Sequence, residues 1–498
     1  MNKYARITAK IQDVTEKNAF FRFITSFTPM MFCYGIFLFL YEIKFLRDIV
    51  PIVHPFLIVW AGFVVAYCLF IKRDFQKIPG WKLIAVFTVL TVVTAFVHLS
   101  VSPISGIKSL ILTLLPLYAF LPAFVCTPKE KRKSQFFKIL SGSAGVMFIF
   151  TLIALVLYFL RINTVLEFAG IVEHIGIRLY DLNANNHVYI LYGLFKDTNH
   201  AATYSIFFCI FGLLLFKECK KGLFKSKKAN TIGKIFGIVS AVVQFIYYPL
   251  ANSRGAWLSL SLIMFLITFT LFVTRKKEES ISFKNTVLSL LKSSVTVLVC
   301  YCLIFSCRWV STTVSFPISK LFADNILKTP QISNSQTEPD KSQTKPDMDN
   351  SQTVNYSKGN FFAGAGRLDI WSNGMKIFAK HPILGVNPNN ISYYAKQIIP
   401  EHKLANGGAL HNSYLDLLIS YGILGFLPLI VFFGYSVINI LKKIFKEMSV
   451  NTTTIIILGM ALILACSSFF LSNSFINTTA MYFILLVSAG YIISITKD

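Results

Sequence analysis

Apolar residues run along this chain in long blocks separated by polar breaks. A window of about 19 residues finds blocks at 20–41, 51–71, 81–101, 108–126, 136–160, 200–216, 232–250, 256–274, 286–306, 422–441, 453–471 and 478–495. Each is long enough to cross the ~30 Å of a bilayer's hydrocarbon as a helix. The pattern predicts an all-α, polytopic integral membrane protein of about twelve transmembrane helices. Nine helices fall in 1–306 and three in 422–498, with a large polar segment at 307–421 and a smaller one at 161–199 between spans five and six.

The polar breaks test this independently, because Lys and Arg accumulate near the cytoplasmic ends of spans. Taking the amino terminus as inside puts Lys72, Arg73 and Lys77, then Lys129, Lys131, Arg132 and Lys133, then the lysine-rich 217–228 segment, then Arg275, Lys276 and Lys277, then Lys442, Lys443 and Lys446 on that side. Short turns on the other side, such as 102–107 and 472–477, carry no charge. Both termini are expected to be cytoplasmic, and 161–199 and 307–421 extracytoplasmic. The first 19 residues or so lack a cleavable signal pattern, which leaves the first span as the insertion signal.

Within the larger outer segment, residues 330–358 repeat Ser-Gln-Thr among Pro, Asp and Lys, a composition that buries no core and is expected to be disordered. Asp347-Met348-Asp349 falls in it and is assigned no metal role. The stretch after it differs: Leu368, Trp371, Met375 and Phe378 recur at helical spacing before a His-Pro, predicting an amphipathic helix near the membrane surface. A second helix is expected from HNSYLDLLISYGILGF, with Asn412 or Ser413 as N-cap, running into the tenth span.

Composition sharpens the picture. Hydrophobic residues make up 54% of the 498 and charged ones 14%, with a mean hydropathy of +0.61, which excludes a soluble multidomain protein. The net charge of +25 would suggest nucleic acid in a soluble chain, but here it is the topological signal and its contact with anionic lipid; no nucleic-acid partner is expected. Nine cysteines show no Cys-x-x-Cys pair and none lies in the outer loop beyond Cys307, so they are read as small packing residues.

All eight histidines fall on the outer side or at outer span ends, without the spacing of a metal motif. Outer arginines carry more information, since the positive-inside bias makes them scarce there and a guanidinium forks onto phosphate oxygens. Three stand out: Arg178 in IRLYDLN, Arg254 in the tight turn ANSRGAW, and Arg367 at the start of the amphipathic helix, where backbone N–H groups also favour an anion. For Arg254 the structural alternative is a hairpin-tip side chain that snorkels; for His411, a role confined to structure.

These motifs resemble the O-antigen ligase and O-antigen polymerase superfamily of bacterial membrane glycosyltransferases. The resemblance rests on SRGAW with Arg254, on the R-x-x-x-W-x-x-G run from Arg367 through Trp371 to His381-Pro382 and Gly385, and on HNSYLDLLISYGILG with His411. LFKDTNHAATYS, with Asp197, Asn199 and His200, is similar to the family's Asp-Pro-Asn stretch, with Thr198 in place of the proline.

The resemblance implies a GT-C-like enzyme that takes a glycan from undecaprenyl diphosphate at the outer face of the cytoplasmic membrane. It passes the glycan to a hydroxyl of a glycan, lipid or protein acceptor, in O-antigen, capsule or cell-wall biosynthesis. Arg254, Arg178 and Arg367 would hold the leaving diphosphate, and His411 would take the acceptor's proton. Asp197, Asn199 and His200 would orient sugar or acceptor, and Trp371 would stack on a sugar face or, equally, anchor the helix. No metal and no cofactor is implied. The competing class is a flippase or transporter of lipid-linked oligosaccharides, which calls for paired internal repeats and broken spans that the chain does not show.

Overall fold

The computed structural model describes residues 3–46, 50–72, 74–168, 171–183, 186–275, 283–325, 366–447, 450–471 and 479–497. The 330–358 segment with Asp347 and Asp349, and the turn 472–477, lie outside the described residues. The architecture is that of an all-α polytopic membrane protein.

The first half holds α1 (Lys3–Lys17), α2 (Ala19–Ile24), α3 (Phe27–Tyr41), α4 (His54–Ala66), α5 (Trp81–Val97), α6 (Pro103–Phe120), α7 (Pro122–Val125) and α8 (Lys129–Phe159). Then come strands β1 (Asn163–Phe168), β2 (Ile171–Asn183) and β3 (Asn186–Gly193), followed by α9 (Thr198–Lys220), α10 (Lys227–Leu250), α11 (Arg254–Arg275) and α12 (Phe283–Asn325). The remainder is α13 (Arg367–Lys380), α14 (Ile391–Ile398), α15 (Ser413–Phe445), α16 (Thr452–Ser467) and α17 (Ala480–Lys497). Among the described residues nine helical segments are long and apolar enough to cross a bilayer; α3, α5 and α16 are shorter apolar helices. Every apolar block in the sequence falls on one of these.

Burial sorts the helices. α9 and α17 are the most enclosed of the long ones, whereas α11, α12 and the α4 segment turn most of their surface outward. Phe63 of α4 and Trp309 of α12 are 62% and 70% exposed, an apolar surface that belongs against lipid rather than water. Small residues set the closest crossing: a Cβ on Gly212 of α9 would lie 2.5 Å from the Gly237 carbonyl of α10, and one on Gly237 2.6 Å from that of Gly212.

The segment 161–199, read only as a polar break, contains an antiparallel sheet in the order β1-β2-β3. The chain leaving β3 is tied to the end of α3 by Lys44 N–H to Leu194 O and Lys196 N–H to Glu42 O, both 2.9 Å. This fixes where α9 begins.

Residues 366–412 form a cap with its own small core, in which Ile370, Ile377, Val386, Leu404, Leu410 and Ile419 are buried together. The α13 helix is present as expected, but its inner face is Ile370, Gly374 and Ile377. Leu368 and Met375 point away, 63% and 38% exposed, and Trp371 and Phe378 flank the core. The helix packs on protein because Ile419 and Leu410 offer it an apolar seat; the spacing alone does not choose between that seat and the membrane surface.

The cap locks into a break in α15. At Gly422 (φ +61°, ψ −173°) the helix is interrupted, and the segment 382–387 enters the gap. Val386 and Asn387 N–H donate to the Ile419 and Ser420 carbonyls at 3.0 and 2.8 Å, and Ile423 and Leu424 N–H donate to the Pro382 and Ile383 carbonyls at 2.8 and 3.2 Å. Backbone groups freed by the break are thus satisfied inside protein, as the low-dielectric setting requires.

Candidate functional site

Four helices start at one end of the bundle, and their caps explain the motifs. Asp197 is the N-cap of α9, accepting from Asn199 N at 2.6 Å and His200 N at 3.4 Å. A carboxylate that caps in this way needs no proline beside it, so Thr198 costs the turn little. Ser253 caps α11 through Ala256 N at 3.4 Å. Asn412 caps α15, accepting from Tyr414 N at 3.0 Å and Leu415 N at 3.2 Å. Ser413 instead binds the chain after α16, its N–H to Ser468 O at 2.9 Å and its hydroxyl to Leu471 O at 2.5 Å.

A narrow cleft joins these starts. It is lined by Asn199 and Thr203 of α9, Ser253, Gly255 and Ala256 of the α10–α11 turn, Arg367 of α13, and Ser467, Phe470 and Leu471 at the end of α16. Gly255 is demanded by this packing, since a Cβ there would sit 3.0 Å from that of Phe470. Phe470 in turn supports the Arg367 guanidinium, 5.8 Å from its ring centre. Arg254 opens α11 beside the cleft and is exposed. Arg178 lies on β2 opposite Ile190, and its side chain lies outside the described residues.

His411, in the loop before α15, is half-buried with φ +52°, a left-handed conformation uncommon for residues other than glycine. Its pKa is held below the ordinary imidazole range, first by burial, then by the positive charge of Arg367; Asp197 opposes the shift, and Lys403 and His200 add to it. The groups acting on His411 therefore come from α9, from α13 and from the loop at Lys403, which places Asp197, His200, Arg367 and His411 in one electrostatic neighbourhood.

Trp371 plays a visible part in building the site. Its indole N–H donates to the carbonyl of Leu410 at 3.0 Å, and one turn on, a Cβ at Gly374 would approach a Leu410 methyl to 2.6 Å. The spacing Arg367, Trp371, Gly374 is a helix face fitted to the residue before His411. Trp371→Phe removes that one hydrogen bond while keeping an aromatic, though smaller, side chain against the cap core. It should cost about 1 kcal/mol of stability and lower turnover with little change in donor KM; a raised KM at constant kcat would instead mark the indole as a sugar platform.

Some neighbours were not singled out from sequence. His200 Nδ1 lies 3.5 Å from the Tyr204 hydroxyl, which donates to Glu42 at 3.2 Å. Arg308 on α12 donates to the Asn252 side chain at 2.8 Å, holding the turn before Arg254. Arg308 falls in the 307–421 segment read as extracytoplasmic, so the same scarcity argument already covered it in the sequence. Among the described residues no three His, Cys, Asp or Glu side chains are gathered to hold a metal ion.

Comparison with known proteins finds two similarities. An uncharacterized protein of Haemophilus influenzae is 23% identical over 246 residues, 49% of this chain and 52% of the relative, so the match spans about half of that protein's length. The family model described as O-antigen ligase matches residues 239–430, which hold the Arg254 turn, α13 and the His411 loop; the Asp197–His200 segment and Arg178 lie outside it. The motif resemblance and the family match coincide, and residues 239–430 are the part of the chain that is similar to the O-antigen ligase family.

Proposed function

We propose that this protein is a ligase- or polymerase-type glycosyltransferase of surface polysaccharide synthesis. It moves a glycan from an undecaprenyl-diphosphate donor to an acceptor hydroxyl at the outer face of the cytoplasmic membrane. The observation that carries this is the cleft where Arg367, the Arg254 turn and the start of α9 meet, with Arg367 and Asp197 both acting on the half-buried His411, whose pKa burial and Arg367 push down. In the reaction the acceptor oxygen bonds to the anomeric carbon, its proton passes to His411, and the bond from that carbon to the diphosphate oxygen breaks. Negative charge grows on the departing diphosphate, and the guanidinium groups of Arg367 and Arg254, with Arg178 as a further candidate, stabilise it near low-dielectric lipid. Backbone N–H groups at the helix starts add to the same field. Asp197, Asn199 and His200 orient the sugar or acceptor from α9, and the cap excludes water that would hydrolyse the donor.

The test is glycan transfer by purified protein from a synthetic undecaprenyl-diphosphate oligosaccharide in EDTA. Release of lipid diphosphate with a lengthened or transferred glycan is expected for wild type, and product size separates polymerase from ligase. His411→Ala and Arg254→Ala should each lose at least about a hundredfold in rate. No turnover with any acceptor, together with movement of the intact donor across liposomes, would assign transport instead.

A further inference from the structure

At the end of the bundle opposite the cleft, the end of α1, α2, the starts of α3 and α8, the chain following α4 and the α9–α10 turn border an open cavity of about 980 Å³. Five basic side chains line it, Arg22, Lys72, Lys131, Lys138 and Lys225, against the acidic Glu16 and Glu130. An adjoining groove of about 560 Å³ shares the wall formed by Arg22, Ser26, Thr28 and Lys138 and continues along Phe23, Pro29 and Phe32. The cationic chamber and the apolar groove thus meet at two basic side chains, with Phe23 53% exposed on the groove side. In the chamber wall Gln135 is 7% exposed. It gives its amide N–H to the Thr28 hydroxyl at 3.1 Å, while its amide oxygen is buried with no partner among the described residues.

We propose that this cavity binds the headgroup of an anionic phospholipid. The phosphodiester sits between Arg22 and Lys138, a headgroup hydroxyl donates toward Gln135, and an acyl chain lies along Phe23 and Phe32. A lone phosphate shares the charge chemistry but has no use for the groove; a lipid uses both, and basic pockets between spans are suited to such headgroups. The site stands apart from the glycan-transfer reading, since it lies at the other end of α8 and α9 and uses none of the cleft residues.

Thermal unfolding of the full chain in detergent, titrated with phosphatidylglycerol, phosphatidylcholine or inorganic phosphate, tests it. Phosphatidylglycerol should raise Tm saturably and phosphatidylcholine of the same chains should not. The double variant Arg22→Gln, Lys138→Gln should weaken the apparent affinity about tenfold or more, whereas Lys227→Gln, Lys228→Gln, which removes two exposed cations outside the cavity, should titrate as wild type. Equal response to both lipids, or an unchanged titration of the Arg22, Lys138 variant, overturns the site. An equal shift from millimolar phosphate overturns the lipid assignment. Native mass spectrometry gives a reading independent of variant stability: wild type should retain one more anionic phospholipid than the Arg22, Lys138 variant, and equal retention would also overturn the proposal.

Discussion

Gly422→Ala is expected to unfold the cap from the membrane bundle and abolish turnover, while Gly434→Ala, twelve residues further along the same helix, is expected to be neutral or slightly stabilising. The contrast comes from position. Gly422 sits at φ +61°, ψ −173°, a region that residues with a Cβ avoid at a cost of about 1–3 kcal/mol. A Cβ there would also lie 2.2 Å from the Ile383 carbonyl oxygen, which is backbone and cannot rotate aside. Moving the 382–387 segment out to relieve this breaks four backbone hydrogen bonds, each worth about 1 kcal/mol net. The total reaches the range of about 4–5 kcal/mol that marks exceptional mutations. Gly385→Ala should behave alike, because its Cβ would meet the Gly422 N and the Ile419 O at 2.5 Å at φ +70°. A Cβ on Gly434 meets nothing within 4 Å, and Ala is the better helix former. Thermal unfolding of the three purified variants checks this; comparable Tm values for Gly422→Ala and Gly434→Ala would show that the break is not a fixed joint.

That joint also shows where sequence reading ends. Hydropathy located the membrane helices because a bilayer demands about twenty apolar residues per span. The helix expected from HNSYLDLL ran unbroken through ISYGILGF into the tenth span, because a broken helix buried in protein is as apolar as an intact one and its glycine looks like any other helix glycine. The cleft was legible to the extent that scarce charges carry information: Arg254 and Arg367 stood out as cations on a side where few are expected, whereas His411, one of eight histidines read to that side, stood out only by its place before a helix and by motif similarity. Asp197 and Asn199 were found only through motif similarity, and the capping role of Asp197 depends on a backbone geometry that α3 and β3 impose from elsewhere. Phe470 and Glu42 left no signal, since one more phenylalanine among 48 or one acid at a span end acquires meaning only from its neighbours. The three-stranded sheet went unread for a similar reason, its residues lying in a segment that hydropathy marks only as a polar break between spans.

The pH dependence of glycan transfer should move in opposite directions when the two charged neighbours of His411 are removed. His411 acts as a base only when neutral, so the rate falls as pH drops through its pKa, which lies below the ordinary value of about 6.5. Arg367 lowers that pKa by repelling the imidazolium, and Asp197 raises it. Arg367→Gln should therefore shift the acid limb of kcat/KM to higher pH, besides lowering the rate about 10²–10³-fold through loss of a diphosphate donor. Asp197→Asn should shift the limb to lower pH, and asparagine keeps the α9 cap. His411→Asn isolates the ring: asparagine tolerates the φ of +52°, so the fold should survive with a Tm close to wild type while turnover drops about 10²–10⁴-fold and the acid limb disappears. A His411→Asn protein that keeps the limb would assign the titration to another group. One that loses Tm in step with activity would make His411 a structural residue, and the opposed shifts at Arg367 and Asp197 would then have no base on which to act.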